Sequence, residues 1–141
     1  MIIDCKTTKQ RPNSTNMKTL QDQNSLIKRE STRAELSKRI EKVLDYIHEN
    51  INSTFEVREI ADVACMSEYH FIRIFSEFCG CTPYQYIIKQ RIDKAKRLIQ
   101  RKMYSIHEIS QACGYDRVQT FRKCFKRETG FSTREFCRSR P

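Results

Sequence analysis

Glu59 and Ile60 recur 49 residues later as Glu108 and Ile109, and Phe71, Arg73, Phe75, Gly80, Thr82 and Tyr86 recur 50 residues later as Phe121, Lys123, Phe125, Gly130, Ser132 and Phe136. A fixed period of this length marks a duplicated supersecondary unit, and the change of offset places one extra residue in the turn of the second copy. Each copy has to fold into the same few elements. Phe71 and Phe75, like Phe121 and Phe125, stand four residues apart, which puts each pair on one inward helix face.

The punctuation between the repeated residues says what the elements are. Val57, Ile60, Ala61, Val63 and Ala64 give a short apolar-patterned helix, broken at Cys65-Met66 and followed by Ser67, whose hydroxyl suits an N-cap. The next helix carries Tyr69, Phe71, Ile72, Ile74, Phe75 and Phe78 and stops at Gly80, a residue that tolerates the left-handed cap. Thr82-Pro83-Tyr84-Gln85 combines an N-cap, a proline at the first helical position and a reciprocal Gln, and opens a helix running to about Arg101. Ser105-Ile106-His107-Glu108 is a capping box, Gly114 a turn, Asp116 a candidate cap for the next helix, and Ser132-Thr133-Arg134-Glu135 the start of a last short one. Upstream, Thr32-Arg33-Ala34-Glu35 reads as a capping box before Leu36, Ile40, Val43, Leu44, Ile47 and Ile51, so the first helix is predicted from Thr32 to about Asn50.

The fold expected is all-α, with about seven helices in two helix-turn-helix subdomains of about three helices each: the first over 32–81, a long linker helix in 82–102 and the second over 103–141. Residues 1–31 are polar and mildly cationic, with too few apolar residues to order themselves, and read as a flexible arm. A linker helix of about 19 residues spans roughly 28 Å, near the ~34 Å turn of B-DNA once its flanking turns are added. One molecule could therefore set two recognition helices in successive major-groove segments.

Lys and Arg number 27 against 17 Asp and Glu, a net charge of +10, which favours a polyanionic partner. The bias is concentrated: residues 117–127 hold Arg117, Arg122, Lys123, Lys126 and Arg127 and no acid, more than a solvated helix face needs. The first copy is acidic instead, with Glu56, Glu59, Asp62, Glu68 and Glu77 against Arg58 and Arg73 over 53–78. No run approaches the roughly 18 apolar residues of a membrane span and no signal-peptide pattern opens the chain, so a cytoplasmic protein without membrane contact is expected. Seven cysteines are an odd set, expected reduced; Cys79-Gly80-Cys81 lacks the companion ligands of a zinc site, and no metal or cofactor is expected.

The ordered set formed by Ile60-Ala61 through Phe75, Gly80-Cys81-Thr82-Pro83 through Tyr86, and Ser105-Ile106-His107-Glu108-Ile109 through Cys113-Gly114-Tyr115, with Phe121, Phe125-Lys126 and Gly130, resembles the DNA-binding module of the AraC/XylS family of bacterial regulators. The resemblance covers about Leu36 to Arg138, and the chain is similar to the minimal single-domain MarA/SoxS-type members. It implies a sequence-specific transcription regulator, an activator, bound to double-stranded DNA as a monomer and touching RNA polymerase. Carried over by position, the base-reading face would be Tyr69, Ile72 and Arg73 in the first unit and Val118, Gln119, Thr120, Arg122 and Lys123 in the second. Arg73 and Lys123 can donate to guanine O6 and N7, Gln119 can pair with adenine, and Tyr69, Val118 and the Thr120 methyl can touch a thymine methyl. Ile72 and Val118 could equally be packing residues, and Arg73 could neutralise a phosphate. Phosphate contacts are expected from Ser67, Arg91, Arg97, Ser105, Arg117, Lys126 and Arg127, with Lys94, Arg101 and Lys102 also on or beside the linker helix.

Three departures from the family pattern stand out. Cys65 occupies a turn position commonly given to Gly, so a positive φ there would be strained. Thr133 and Phe136 replace the Pro and Tyr usual after Gly130. The acidic first unit implies that the second supplies most of the phosphate affinity. Against an enzyme stand the three glycines without a phosphate loop and His48, His70 and His107 in separate helices without a nucleophile pattern. A helical module binding RNA or acidic proteins is the other alternative, though no RNA-reading fold is evident.

Overall fold

A computed structural model describes residues 20–139, over 20–31 the backbone alone. Among them are seven α-helices and no strand: α1 (Leu20–Glu49), α2 (Val57–Val63), α3 (Glu68–Cys79), α4 (Pro83–Arg101), α5 (Ile106–Ala112), α6 (Val118–Thr129) and α7 (Thr133–Ser139). The duplication is visible in the lengths, since α2 and α5 have 7 residues each and α3 and α6 have 12 each.

The first helix corrects the sequence reading. It begins at Leu20 rather than Thr32, so the Thr32-to-Glu35 signature lies inside a helix of 30 residues, and 20–31 are helical rather than part of a flexible arm. Residues 20–31 hold no Gly or Pro and are rich in straight-chain Leu, Gln, Lys, Arg and Glu. Once burial of Ile40 and Val43 fixes the downstream turns, propagation upstream adds one backbone hydrogen bond per residue and needs no new nucleus. The rest of the expected arm, 1–19, lies outside the described residues.

The helices group into two compact units. The first joins the part of α1 up to Tyr46 to Val57–Pro83. Its buried side chains are Ile40 and Val43 of α1, Ile60 and Ala61 of α2, Ala64 and Met66 of the turn, and Phe71, Ile74, Phe75 and Cys79 of α3. The Phe71 and Phe75 rings lie 5.5 Å apart at 57°, the tilted arrangement their quadrupoles favour.

The second unit joins Ile47–Glu56 to the chain from Tyr84 onward. Ile88, Ile92, Ala95 and Ile99 of α4 form a helical stripe packed with Ile109, Cys113, Tyr115, Phe121, Cys124, Phe125 and Phe136. The long helix α4 supplies a core stripe of this unit. Phe121 and Phe125 are fully buried, and truncating either to Ala should cost about 3–5 kcal/mol.

Both helix-turn-helix turns close with the same hydrogen bonds. In the first, Cys65 N–H donates to Asp62 O and Met66 N–H to Ala61 O, both at 3.0 Å; in the second, Gly114 N–H donates to Gln111 O and Tyr115 N–H to Ser110 O, also at 3.0 Å. This is the double bond pattern of a Schellman cap, which requires a left-handed residue. Gly114 supplies it at φ 87, and Cys65 adopts it at φ 57 despite its Cβ. The extra residue of the second copy falls after the cap: four residues, 64–67, join α2 to α3, and five, 113–117, join α5 to α6.

Candidate nucleic-acid interface

The surface each long helix leaves outside follows from the phenylalanines it turns inward. On α6, burial of Phe121, Cys124 and Phe125 leaves Gln119, Thr120, Arg122, Lys123, Lys126 and Arg127 exposed, with Val118 half-buried at the start. Helical spacing sets Gln119, Arg122, Lys123 and Lys126 on one side, a fan of donors free of carboxylates up to Glu128. Arg127 is engaged at the edge of this face, 3.5 Å from Glu128 and 3.7 Å from Cys124 Sγ.

On α3, burial of Phe71, Ile74, Phe75 and Cys79 leaves Tyr69, Ile72 and Arg73 exposed. Its two carboxylates are already paired: Glu68 lies 3.5 Å from Arg58 and Glu77 lies 3.9 Å from Arg73. Exposed pairs of this kind stabilise little. They do lower the local positive field, so α3 presents an almost neutral face where α6 presents a cationic one.

The helix starts are built differently. Ser67 caps α3, accepting from His70 N–H at 3.2 Å. Ser105 caps α5 in a complete capping box with Glu108 at 3.1 and 2.8 Å, and Ser132 with Glu135 repeats the box before α7 at 3.1 and 2.9 Å. A capping serine accepts with its oxygen and keeps a proton to donate, so Ser67 and Ser105 remain compatible with phosphate contact. Hydrogen bonding to the Ser105 and Ser132 N–H groups holds the Glu108 and Glu135 carboxyls below their ordinary range. Asp116 does not cap α6: the N-cap is Arg117, in extended backbone without a side-chain cap bond. The five-residue turn moves the helix start one position beyond the aspartate.

Of the basic residues of α4, two are drawn inward. The Arg91 guanidinium donates to Ile51 O at 3.1 Å and Ser53 O at 2.6 Å and lies over the Phe55 and Tyr115 rings at 5.7 and 5.4 Å. It ties the segment after α1 to the second core, and these bonds compete with the phosphate contact expected of it. Lys94 donates to Ala112 O at 2.8 Å, an orphan carbonyl at the end of α5. Arg97, Arg101 and Lys102 are exposed, as are Arg117 and Lys126.

One feature was not foreseen from sequence. Arg122, Lys123, Lys126 and Arg127 of α6 line an open groove of about 790 Å³ with Ser132, Thr133 and Arg134 at the start of α7. The Ser132-to-Glu135 box locates the start of that helix but gives no sign that Arg134 joins the α6 cluster.

A protein-family model described as a helix-turn-helix domain matches residues 60–139. The "Probable transcription factor PqrA" of Proteus vulgaris is 32% identical over 85 residues, covering 60% of this chain and 70% of that protein. The "Probable transcriptional regulator LumQ" of Photobacterium leiognathi is 31% identical over 88 residues, 62% of this chain but 36% of its own length. The chain thus spans about a third of the length of several longer curated relatives it matches. Among solved structures, the DNA-binding domain of AdpA, described as a global transcriptional factor in complex with a target DNA, superposes with a TM-score of 0.68 at 30% identity, covering 71% of this chain and 90% of that domain. The matched segment runs from within α2 through α7, with both turns and both phenylalanine-bearing helices, and this chain belongs to the AraC family of helix-turn-helix transcription regulators.

Proposed function

We propose that the chain regulates transcription by binding double-stranded DNA at specific sequences, with α3 and α6 as recognition helices in successive major-groove segments and one molecule per site. The observation that carries this reading is the exposed face of α6, where Gln119, Arg122, Lys123 and Lys126 offer donors suited to purine edges and phosphates on a helix whose opposite side is locked into the core. The AdpA domain, similar over most of this chain, is described as bound to its target DNA. Val118 and Thr120 flank the same face and are assigned methyl contacts; Arg97, Arg117, Lys126, Arg127, Ser67 and Ser105 are assigned to phosphates.

Activation through RNA polymerase in the cytoplasm completes the reading, supported by the resemblance to minimal single-domain regulators. Among the described residues no helix is long and apolar enough to cross a membrane. Selection of bound duplexes from a random library by the purified full chain tests the proposal. Enrichment of two short elements about one helical turn apart, bound with one-to-one stoichiometry, supports it; absence of enrichment at every salt concentration refutes it.

A further inference from the structure

The duplication allows the two recognition faces to be compared residue against residue. At an offset of 50, Tyr69 stands where α6 has Gln119, Ile72 where it has Arg122, and Arg73 where it has Lys123. Of these three donors, Arg122 is replaced by the aliphatic Ile72 and Gln119 by Tyr69, an aromatic ring that keeps a single hydroxyl. Tyr69 is 79% exposed and Ile72 39% exposed, so neither is spent on the core. They stand three residues apart, on neighbouring turns of one side of α3. The remaining donor, Arg73, is drawn toward Glu77 at 3.9 Å.

Resting on the reading of α3 as a recognition helix, we propose that this face selects its DNA element by contact of Tyr69 and Ile72 with thymine C5-methyl groups rather than by donation to guanine. In the major groove the thymine methyl is the one apolar feature any base pair displays. An aliphatic side chain set beside an aromatic ring is complementary to it, and Ile72 has no donor to offer guanine O6 or N7. The charge pattern agrees. Glu68 and Glu77 neutralise Arg58 and Arg73 beside the face, leaving it little long-range attraction for phosphates, so its contribution is discrimination and that of α6 is affinity. The two elements of the site should therefore differ in chemistry: thymines under α3, purine acceptors under α6.

The test replaces each thymine of the selected site in turn by deoxyuridine, which keeps the pairing edge and O4 and removes only the methyl, and measures binding of the full chain and of its Ile72→Ala and Tyr69→Ala variants. Loss of one methyl contact should weaken binding about four-fold, the worth of one methyl removed from water. That loss is expected at one or more thymines clustered in one element, and it should disappear in Ile72→Ala or Tyr69→Ala while 7-deazaguanine effects in the other element persist. Exposure of both side chains leaves the fold of the variants intact. If deoxyuridine is tolerated everywhere, or its effect survives in both variants, the methyl-reading inference is overturned while DNA recognition stands. If no site is enriched at all, the reading of the chain as a DNA-binding regulator fails first and takes this inference with it.

Discussion

Three left-handed positions of the two helix-turn-helix units make a graded substitution series, and Gly114→Ala should be its most costly member. Gly114 has φ +87, and a Cβ there would stand 2.9 Å from Ile51 O and 2.9 Å from the Cζ and Nη2 atoms of Arg91. An L-residue in this region costs roughly 1–2 kcal/mol, less about 0.4–1 kcal/mol returned by the stiffer unfolded chain. The contacts add to this. Ile51 O is backbone, and the guanidinium is held by Ile51 O and Ser53 O, so it cannot step aside without releasing bonds worth about 1–3 kcal/mol. The total is about 1–5 kcal/mol. Gly130, at φ +84 with nothing within 4 Å of its would-be Cβ, should cost only the conformational share, about 1 kcal/mol, on changing to Ala. Cys65→Gly, which relieves φ 57 at the equivalent turn, should stabilise the first unit by about 0.5–1 kcal/mol. Urea unfolding of the purified variants measures all three. Equal costs at Gly114 and Gly130, or destabilisation by Cys65→Gly, would refute the account of the turns.

Because an acid lowered in the folded state stabilises it above the unfolded value and loses that contribution as pH falls through the folded one, the capping boxes should weaken below the ordinary carboxyl value of 4.5. Helicity followed by circular dichroism on acidification should show this loss, and combined Glu108→Gln and Glu135→Gln substitution should flatten it. Burial pushes the Cys113 thiol up to about 11, while Cys65 is exposed; a thiol reagent near neutral pH should label Cys65 at once and Cys113 only on unfolding, read by peptide mass. On DNA, Lys126→Ala should reduce the salt slope of binding by about 0.9, the release of one counterion. Arg91→Ala should instead lower the stability of the second unit by about 1–3 kcal/mol and leave that slope unchanged, as its bonds are internal.

Much of this architecture is legible in the sequence because it is local. The Ser67 and Ser105 caps, the Gly80 and Gly130 stops, the proline start of α4 and the four-residue phenylalanine spacing act within one or two turns, and each appears where its chemistry requires. Cys65 is the instructive intermediate, since the turn forces it into the left-handed region that its glycine counterpart Gly114 occupies without strain. The failures come from longer range. Thr32 carries a capping signature that the helix runs through, because burial of Ile40 and Val43 outweighs a local start signal. Asp116 is a good cap residue one position too early for α6. Arg91 looks like any cation on an exposed helix face, and only the return of Ile51 and Ser53, some 40 residues upstream, turns it inward. The base-contact candidates come from the resemblance alone; the structure adds that Tyr69, Ile72 and Arg73 on α3 and Gln119, Thr120, Arg122 and Lys123 on α6 are exposed.

The central claim is that two helices of one chain read two separate DNA elements. Its most direct test measures binding of the Tyr69→Ala/Arg73→Ala and Arg122→Ala/Lys123→Ala variants against every single-base change of the selected site. The account predicts relaxed discrimination at two disjoint sets of positions, centred about one helical turn apart. Relaxation at the same positions by both variants, or an α3 variant that keeps every base preference of the parent, would contradict it.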